Sequence, residues 1–181
     1  MDTIEFISQS LQQVQIRLLA TCDGLSDEQV LWRPSSHSNN IGFILWHVAR
    51  AEDDVASRLR LGESTLWVSD QWFEKFGQPI DSPDPGDRMG LRALSLPPLD
   101  TLVGYLEAVC RRTQEAVSGL TESDLDEQDG DSPAGRTTGM SLRHLITHKN
   151  NHHGQVDYIR GLQDDTWDLP RGTGMRLPNR P

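Results

Sequence analysis

Apolar residues recur at alternating spacings of three and four in four long segments of this 181-residue sequence. That spacing puts them on one side of an α-helix, so each segment predicts an amphipathic helix with a buried stripe. The stripes are Ile4, Ile7, Leu11, Val14 and Leu18; Ile44, His47 or Val48, Ala51, Val55 and Leu59; Leu99, Leu102, Leu106, Val109, Ala116 and Leu120; and Leu142, Leu145, Val156, Ile159 and Leu162. The sequence therefore predicts an all-α fold, a four-helix bundle.

Residues at the ends of these segments predict where the helices start. Asp2 with Glu5 forms a capping box, Asn40 is an N-cap candidate, and Pro97 with Pro98 suits a helix entrance. A long connection, from Glu63 to about Leu96, separates the second helix from the third. Some thirty extended residues can recross a helix of roughly 30 Å, so helices 2 and 3 are predicted to run in the same direction.

The long connection is rich in aromatic residues, which a loop does not need for its own sake. Its large rings are Trp67, Trp72, Phe73 and Phe76. We expect them to contribute to a homodimer surface. The alternative is that they fold back on their own bundle as a lid.

The length predicts a single domain spanning residues 1–181, with a helical core at about 2–162 and an irregular tail at 163–181. Cys22 and Cys110 lie far apart in helical patterns, which indicates free buried thiols and a reducing, cytoplasmic location. The N-terminal residues do not form a signal peptide, and no segment reaches a membrane-spanning length. We expect no membrane partner.

A formal net charge of -10 repels phosphate backbones and anionic lipid. Lys149, Arg143 and Arg160 are too few to form a basic stripe. We therefore expect a small-molecule substrate and no nucleic acid.

Four of the six histidines lie between Ser141 and Leu162. His144, His148 and His152 recur every four residues and so share one helical stripe, which we predict to be buried, whereas His153 points elsewhere. Two histidines four apart on a helix can bind one cation without backbone strain. Spacing alone does not choose between the pair His144 and His148 and the pair His148 and His152.

A third ligand has to come from another helix, and His47 is the other histidine in a strong helical pattern, since His37 lies in a solvated loop. We predict a metal site for His47, His148 and His152, because three buried imidazoles without a cation would each need a polar partner. For His144 and His153 we favour ordinary hydrogen-bonded roles. Glu52 and Asp54 are candidates to support the ligands by hydrogen bonds, although helical carboxylates are more often solvated.

Two runs of this sequence, LSDEQVLWRPSSHSNNIGFILWHVARAEDD and LRHLITHKNNHHGQVDYIRGL, resemble the DinB superfamily. The specific parts are Trp46-His47 and the pattern His148-x3-His152-x2-Gln155. The resemblance implies an up-down-down-up bundle, frequent homodimers, and a divalent metal held by His47, His148 and His152, with Gln155 near the site. His153 stands where many relatives have arginine.

Three protein ligands leave a metal with an open position, which is typical of a catalytic site. The resemblance implies a thiol-dependent S-transferase or isomerase with a low-molecular-weight thiol as cosubstrate. Imidazole ligands suit zinc, nickel, copper or iron, and of these we expect zinc or nickel. The alternatives are a metal-dependent hydrolase and a non-catalytic, stress-related metal-binding dimer. No catalytic residue is identified, and Arg33, Arg136 and Arg143 are the candidates to bind an acidic thiol at the mouth of the site.

Overall fold

The computed structural model describes residues 1–60, 62–130, 132 and 135–177. Within these ranges the chain forms four long α-helices and four short ones. The α-helices are α1 (Thr3–Cys22), α2 (Asp27–Leu31), α3 (Ile41–Leu59), α4 (Leu66–Ser69), α5 (Trp72–Lys75), α6 (Arg88–Arg92), α7 (Leu99–Ser118) and α8 (Thr138–Gln163). Ser123–Leu125 forms a single 3₁₀ turn. Within these ranges the only β pairing is an isolated bridge between Gln128 and Thr137, so the predicted all-α class is confirmed.

Two of the predicted helix starts carry side-chain caps, whereas the third, at Pro98, carries none. The Asp2 carboxylate accepts a hydrogen bond from the Glu5 backbone N–H, and the Asn40 side chain accepts one from that of Phe43. Each cap satisfies a backbone donor that has no partner inside its own helix. The boundaries of α1 and α3 therefore follow from local sequence.

Each long helix packs against two others: α3 against α7 and α8, and α1 against α8 and α7. The largest apolar cluster surrounds Ile44, Leu45 and Leu106, and a second one lies around Leu11 and Leu142. The core therefore runs between all four long helices.

The long connection contains three short helices, α4 to α6, that the sequence patterns did not predict. Trp67 and Phe76 are buried, and their rings lie 5.7 and 5.6 Å from the Tyr105 ring on α7. The Asp53 carboxylate on α3 accepts hydrogen bonds from the Trp67 backbone N–H and from the Tyr105 hydroxyl. The aromatic residues thus pack within their own chain, which removes the aromatic argument for a homodimer.

The buried side of α8 is not the predicted histidine stripe. Its buried residues are Thr138, Ser141, Leu142, Leu145, Lys149, His153, Val156 and Ile159. His144 is exposed, while His148 and His152 are half-buried at the border of that side. The prediction of a buried stripe was wrong because α1 and α3 cover the neighbouring side of α8, which is centred on Leu145 and Lys149.

Cys22 and Cys110 are free and buried, as predicted. The tail from Asp164 to Leu177 forms turns without a further helix or strand, and residues 178–181 of the predicted irregular tail lie outside the described part. Among the described helices, none combines the length and the apolar character that crossing a membrane requires.

Candidate metal centre

α3 and α8 bring His47, His148 and His152 to one place. One ring nitrogen from each histidine lies within 4.8 Å of the other two, and all three residues are half-buried. The Nε2 atoms of His47 and His148 lie 3.0 Å apart. His148 and His152 are one turn apart on α8, and His47 is contributed by α3, which packs directly against α8.

The three imidazoles are uncharged at neutral pH. Burial, together with the neighbouring histidines, lowers the pKa of His148 to about 4. Burial also lowers the pKa of His47, with a further contribution from His152, and burial lowers the pKa of His152. Neutral imidazole is the form that ligates metals.

The hydrogen bonds of this cluster fit a cation at its centre. Gln155 Oε1 lies 2.9 Å from His152 Nδ1, the arrangement in which Nδ1–H donates to the amide oxygen and Nε2 keeps its lone pair. His148 differs from His152, because in the described structure its Nδ1 is buried and no hydrogen bond orients the ring. Three imidazole nitrogens are a donor set that suits zinc, nickel and other divalent transition metals.

The remaining histidines lie outside this cluster. His144 is exposed, one turn before His148. His153 is buried, and its Nε2 lies 3.1 Å from the Thr21 hydroxyl, which matches the hydrogen-bonded role that we favoured. His37 is exposed, as predicted, but it lines the pocket described below.

A buried ion pair lies one residue further along α8. Lys149 Nζ is 2.6 Å from Glu52 Oε2 and donates to Gln15 Oε1 over 3.0 Å, and neither charged side chain is exposed to solvent. The prediction that Glu52 supports a metal ligand was wrong, because its carboxylate pairs with Lys149. The sequence held one signal for this pair, since Glu52 and Lys149 both fall at helical spacing among apolar residues.

A pocket of about 850 Å³ opens beside His47 and His152. Part of its wall is apolar, and Phe43 lies parallel to the His47 ring at 6.2 Å between centroids. The residues that line it are His37, Asn39, Phe43, Trp46, His47, Arg50, Ala51, Asp54, Ser82, Pro83, Asp84, Pro85, Arg88, Leu91, Arg92 and His152. The expected arginines Arg33, Arg136 and Arg143 are not among them. Asp54 lines this pocket and makes no hydrogen bond to a histidine in the described ranges.

The arrangement has the geometry of a metal site that a small molecule can reach. Three neutral nitrogens converge, Gln155 orients one of them, and a pocket leads to two of the three rings. A closed structural site would instead surround its metal with four protein ligands.

Comparisons with known proteins bear on the fold and on the family. The crystal structure of the conserved protein of locus from Enterococcus faecalis is similar to this chain, with a TM-score of 0.79 and 23% sequence identity, over 90% of this chain and 97% of that one. At this identity the likeness shows the fold alone. A search of curated proteins found no match. The family model of the DinB superfamily matches residues 10–156, which is most of the sequence. The chain therefore belongs to the DinB superfamily.

Proposed function

We propose that the protein is a metal-dependent enzyme in which His47, His148 and His152 hold one divalent transition metal, zinc or nickel. The observation that carries the proposal is the convergence of three neutral imidazoles, within 4.8 Å of one another, beside an open pocket. The pocket argues against a non-catalytic metal-binding protein, because a metal with a purely structural role does not need access for a ligand.

We further propose that the four long helices form one bundle of up-down-down-up order within a single domain. Contacts between helices support this order. Later residues of α1 contact later residues of α8 but earlier residues of the segment formed by α7 and the turn after it, and α3 meets α8 in reverse. The pairs are Thr3 with Glu122, Ser8 with Gln114, Gln15 with Lys149, Thr21 with His153, Glu52 with Lys149, and His47 with His152.

For the reaction we propose a thiol-dependent S-transferase or isomerase. When bound, the metal supplies Lewis acidity, which lowers the pKa of a thiol and presents it as a nucleophile. The thiol has to come from a cosubstrate, because the chain's own cysteines are unsuited to this role. Burial raises the pKa of Cys22 to about 12 and that of Cys110 to about 11, and neither residue lines the pocket.

The chain's residues would then serve three purposes. Gln155 keeps the His152 ring in one orientation and one protonation state. Phe43 and Trp46 exclude water from the side of the pocket next to His47, and the polar side chains of the pocket orient the substrate. The proposal thus assigns binding and positioning to the protein, with no separate nucleophile.

Cobalt substitution tests the thiol mechanism, because thiolate bound to cobalt gives a strong ultraviolet charge-transfer band that water and carboxylate do not give. We expect the cobalt-loaded protein to develop this band on titration with low-molecular-weight thiols. His148→Ala should bind no cobalt, whereas His144→Ala, the matched control one turn away, should bind one ion per chain. A protein that binds cobalt through these histidines but shows no band with any thiol would contradict the thiol mechanism and favour metal-dependent hydrolysis.

We also propose that the protein forms a homodimer. Membership of the DinB superfamily supports this, since the aromatic residues no longer do. Sedimentation of the purified protein at micromolar concentration is the test. A single monomeric species would contradict it.

A further inference from the structure

The pocket beside the histidines has a charge balance opposite to that of the whole chain. The sequence has 27 acidic and 17 basic residues, whereas the pocket is lined by three arginines and two aspartates. The arginines are Arg50, Arg88 and Arg92, and the aspartates are Asp54 and Asp84. In a strongly acidic protein, a locally cationic cleft indicates a ligand with negative charge.

Arg50 is the arginine nearest to the histidines along the chain. It follows His47 by three residues on α3, so the two side chains are neighbours on one helix surface. The guanidinium stacks on the Trp67 ring, with its central carbon 4.5 Å from the ring centroid, and this contact holds it against the pocket wall.

The donors of Arg50 are poorly satisfied. Its Nη2 makes one long contact of 3.4 Å with the Ser82 hydroxyl, while Nε and Nη1 are buried and have no partner in the described structure. Although Asp54 lies one turn away, no ion pair joins it to Arg50 within the described ranges. A guanidinium whose donors are weakly engaged can gain charge-assisted hydrogen bonds, so this side chain is suited to bind an anionic group.

Arg88 and Arg92 approach the same pocket from α6 in the long connection. Arg92 already donates from Nη2 to the His37 carbonyl over 2.7 Å. Arg88 is exposed and makes no side-chain hydrogen bond or ion pair with any residue that the structure describes. Asp84 is engaged in its own turn, where it accepts a hydrogen bond from the Gly86 backbone N–H. Of the three arginines, Arg50 and Arg88 therefore have the least engaged donors.

We propose that this pocket binds a small molecule carrying a carboxylate or phosphate group, and that Arg50 and Arg88 bind that anionic group. The remainder of the molecule lies along Phe43 and Trp46 and reaches the histidine cluster. This inference rests on the proposed function, since it names the class of molecule that the metal-dependent reaction uses. The anionic group belongs either to the thiol or to its reaction partner, and the chemistry that Arg50 recognises is the same in both cases.

The test uses the zinc-loaded protein and isothermal titration calorimetry with three probes: succinate, inorganic phosphate and the neutral analogue succinamide. We expect one of the two anions to bind more tightly than succinamide, and added salt to reduce that preference. Succinate against phosphate identifies the anionic group. A second titration with mercaptosuccinate and thioglycerol tells whether a thiol that carries the acid binds more tightly than a neutral one.

Three variants test which arginine binds the anion. Arg50→Gln should weaken the preferred anion by about tenfold or more, since it removes charge-assisted hydrogen bonds. Arg88→Gln, which removes an exposed cation, should weaken it about threefold. Arg111→Gln is the matched control, because Arg111 is exposed on α7 and does not line this pocket. Should Arg50→Gln disturb folding through the Trp67 contact, Arg88→Gln still tests the proposal.

Zinc content, measured for every variant, separates the two hypotheses. If zinc is bound but both arginine variants keep the wild-type anion affinity, or if neither anion binds better than succinamide, the anion pocket is wrong and the metal proposal stands. If the wild-type protein binds no zinc, yet an anion binds and depends on Arg50, the proposed function fails and the anion pocket stands.

Discussion

His148 and Lys149 are consecutive residues of α8, yet they belong to regions that treat polar groups in opposite ways. Lys149 has no solvent exposure, and its charge is paired with Glu52 at 2.6 Å. His148 is half-buried and uncharged, and its Nε2 lies 3.0 Å from Nε2 of His47. Both regions connect α3 with α8, so a rotation of about 100° around the helix separates a paired charge from a site that can accept a ligand.

The difference between the two regions teaches how to recognise a polar group that is available for binding. A buried charge has to be paired within the protein, because leaving it alone costs several kcal/mol. An imidazole avoids that cost by losing its proton, which leaves a lone pair free for a metal. The ion pair of Lys149 and Glu52 therefore has no unpaired positive charge to offer a ligand. The imidazole nitrogens of His47, His148 and His152 do have lone pairs that can bind a metal.

The largest expected effect comes from breaking the buried ion pair. Lys149→Met leaves the Glu52 carboxylate buried without its cation and should lower the free energy of unfolding by about 3–5 kcal/mol. Urea denaturation of the metal-free protein measures this change. The double variant Lys149→Met, Glu52→Leu should recover most of the loss, because an apolar pair can replace a buried ion pair. A single variant within about 1 kcal/mol of wild type would contradict the burial of this pair.

Removing the metal should have the next largest effect. A metal that binds only the folded protein adds about 2.7 kcal/mol at a hundredfold excess over its dissociation constant. Chelation should therefore lower the melting temperature while the helical circular dichroism is kept, since the apolar core does not depend on the metal. His148→Ala, which we expect to bind no metal, should not respond to the chelator. A random coil after chelation would instead indicate a structural metal.

Gln155→Ala should weaken metal binding by the three histidines without changing the ion pair between Lys149 and Glu52. Loss of the hydrogen bond to His152 Nδ1 frees the ring to rotate, and we expect metal affinity to fall by about tenfold. Competition with a chromophoric chelator measures the affinity. Asn151→Ala is the control, because Asn151 is exposed on the same helix. Equal affinities for both variants would show that Gln155 does not orient His152.

The pH dependence of stability should show the smallest effect for a change of one pH unit. An unfolded histidine binds its proton near its ordinary pKa of 6.5, but folded His148 does so only near pH 4. Between these values the unfolded state binds more protons, so the metal-free protein should lose stability as the pH falls through this window, by less than about 1.4 kcal/mol per pH unit for this residue. His148→Ala should show a shallower slope in urea denaturation. An unchanged slope would mean that folding leaves the pKa of His148 near its ordinary value.

Much of the architecture follows from local sequence. The spacing of Ile7, Leu11 and Val14 makes α1 helical and amphipathic wherever it packs, and the Asp2 and Asn40 caps define two helix starts. The histidines were also identified from sequence, and His47, His148 and His152 do lie together, although metal binding by them stays a prediction. The spacing of apolar residues did not tell which side of α8 is buried. These residues spread widely around the helix, so they also fitted the stripe of His144, His148 and His152.

The sequence by itself determined the four long helices and the caps at Asp2 and Asn40, because each depends on residues within a few turns of one another. It also identified the three histidines as candidates, although His47 and His148 are 101 residues apart. Tertiary structure decided the rest. Lys149 and Glu52 are 97 residues apart, and Arg88 reaches the pocket from a long connection whose path local patterns do not encode. Whether a polar side chain is paired, left neutral or left open to a ligand depends on what packs against it, and that is a property of the folded chain.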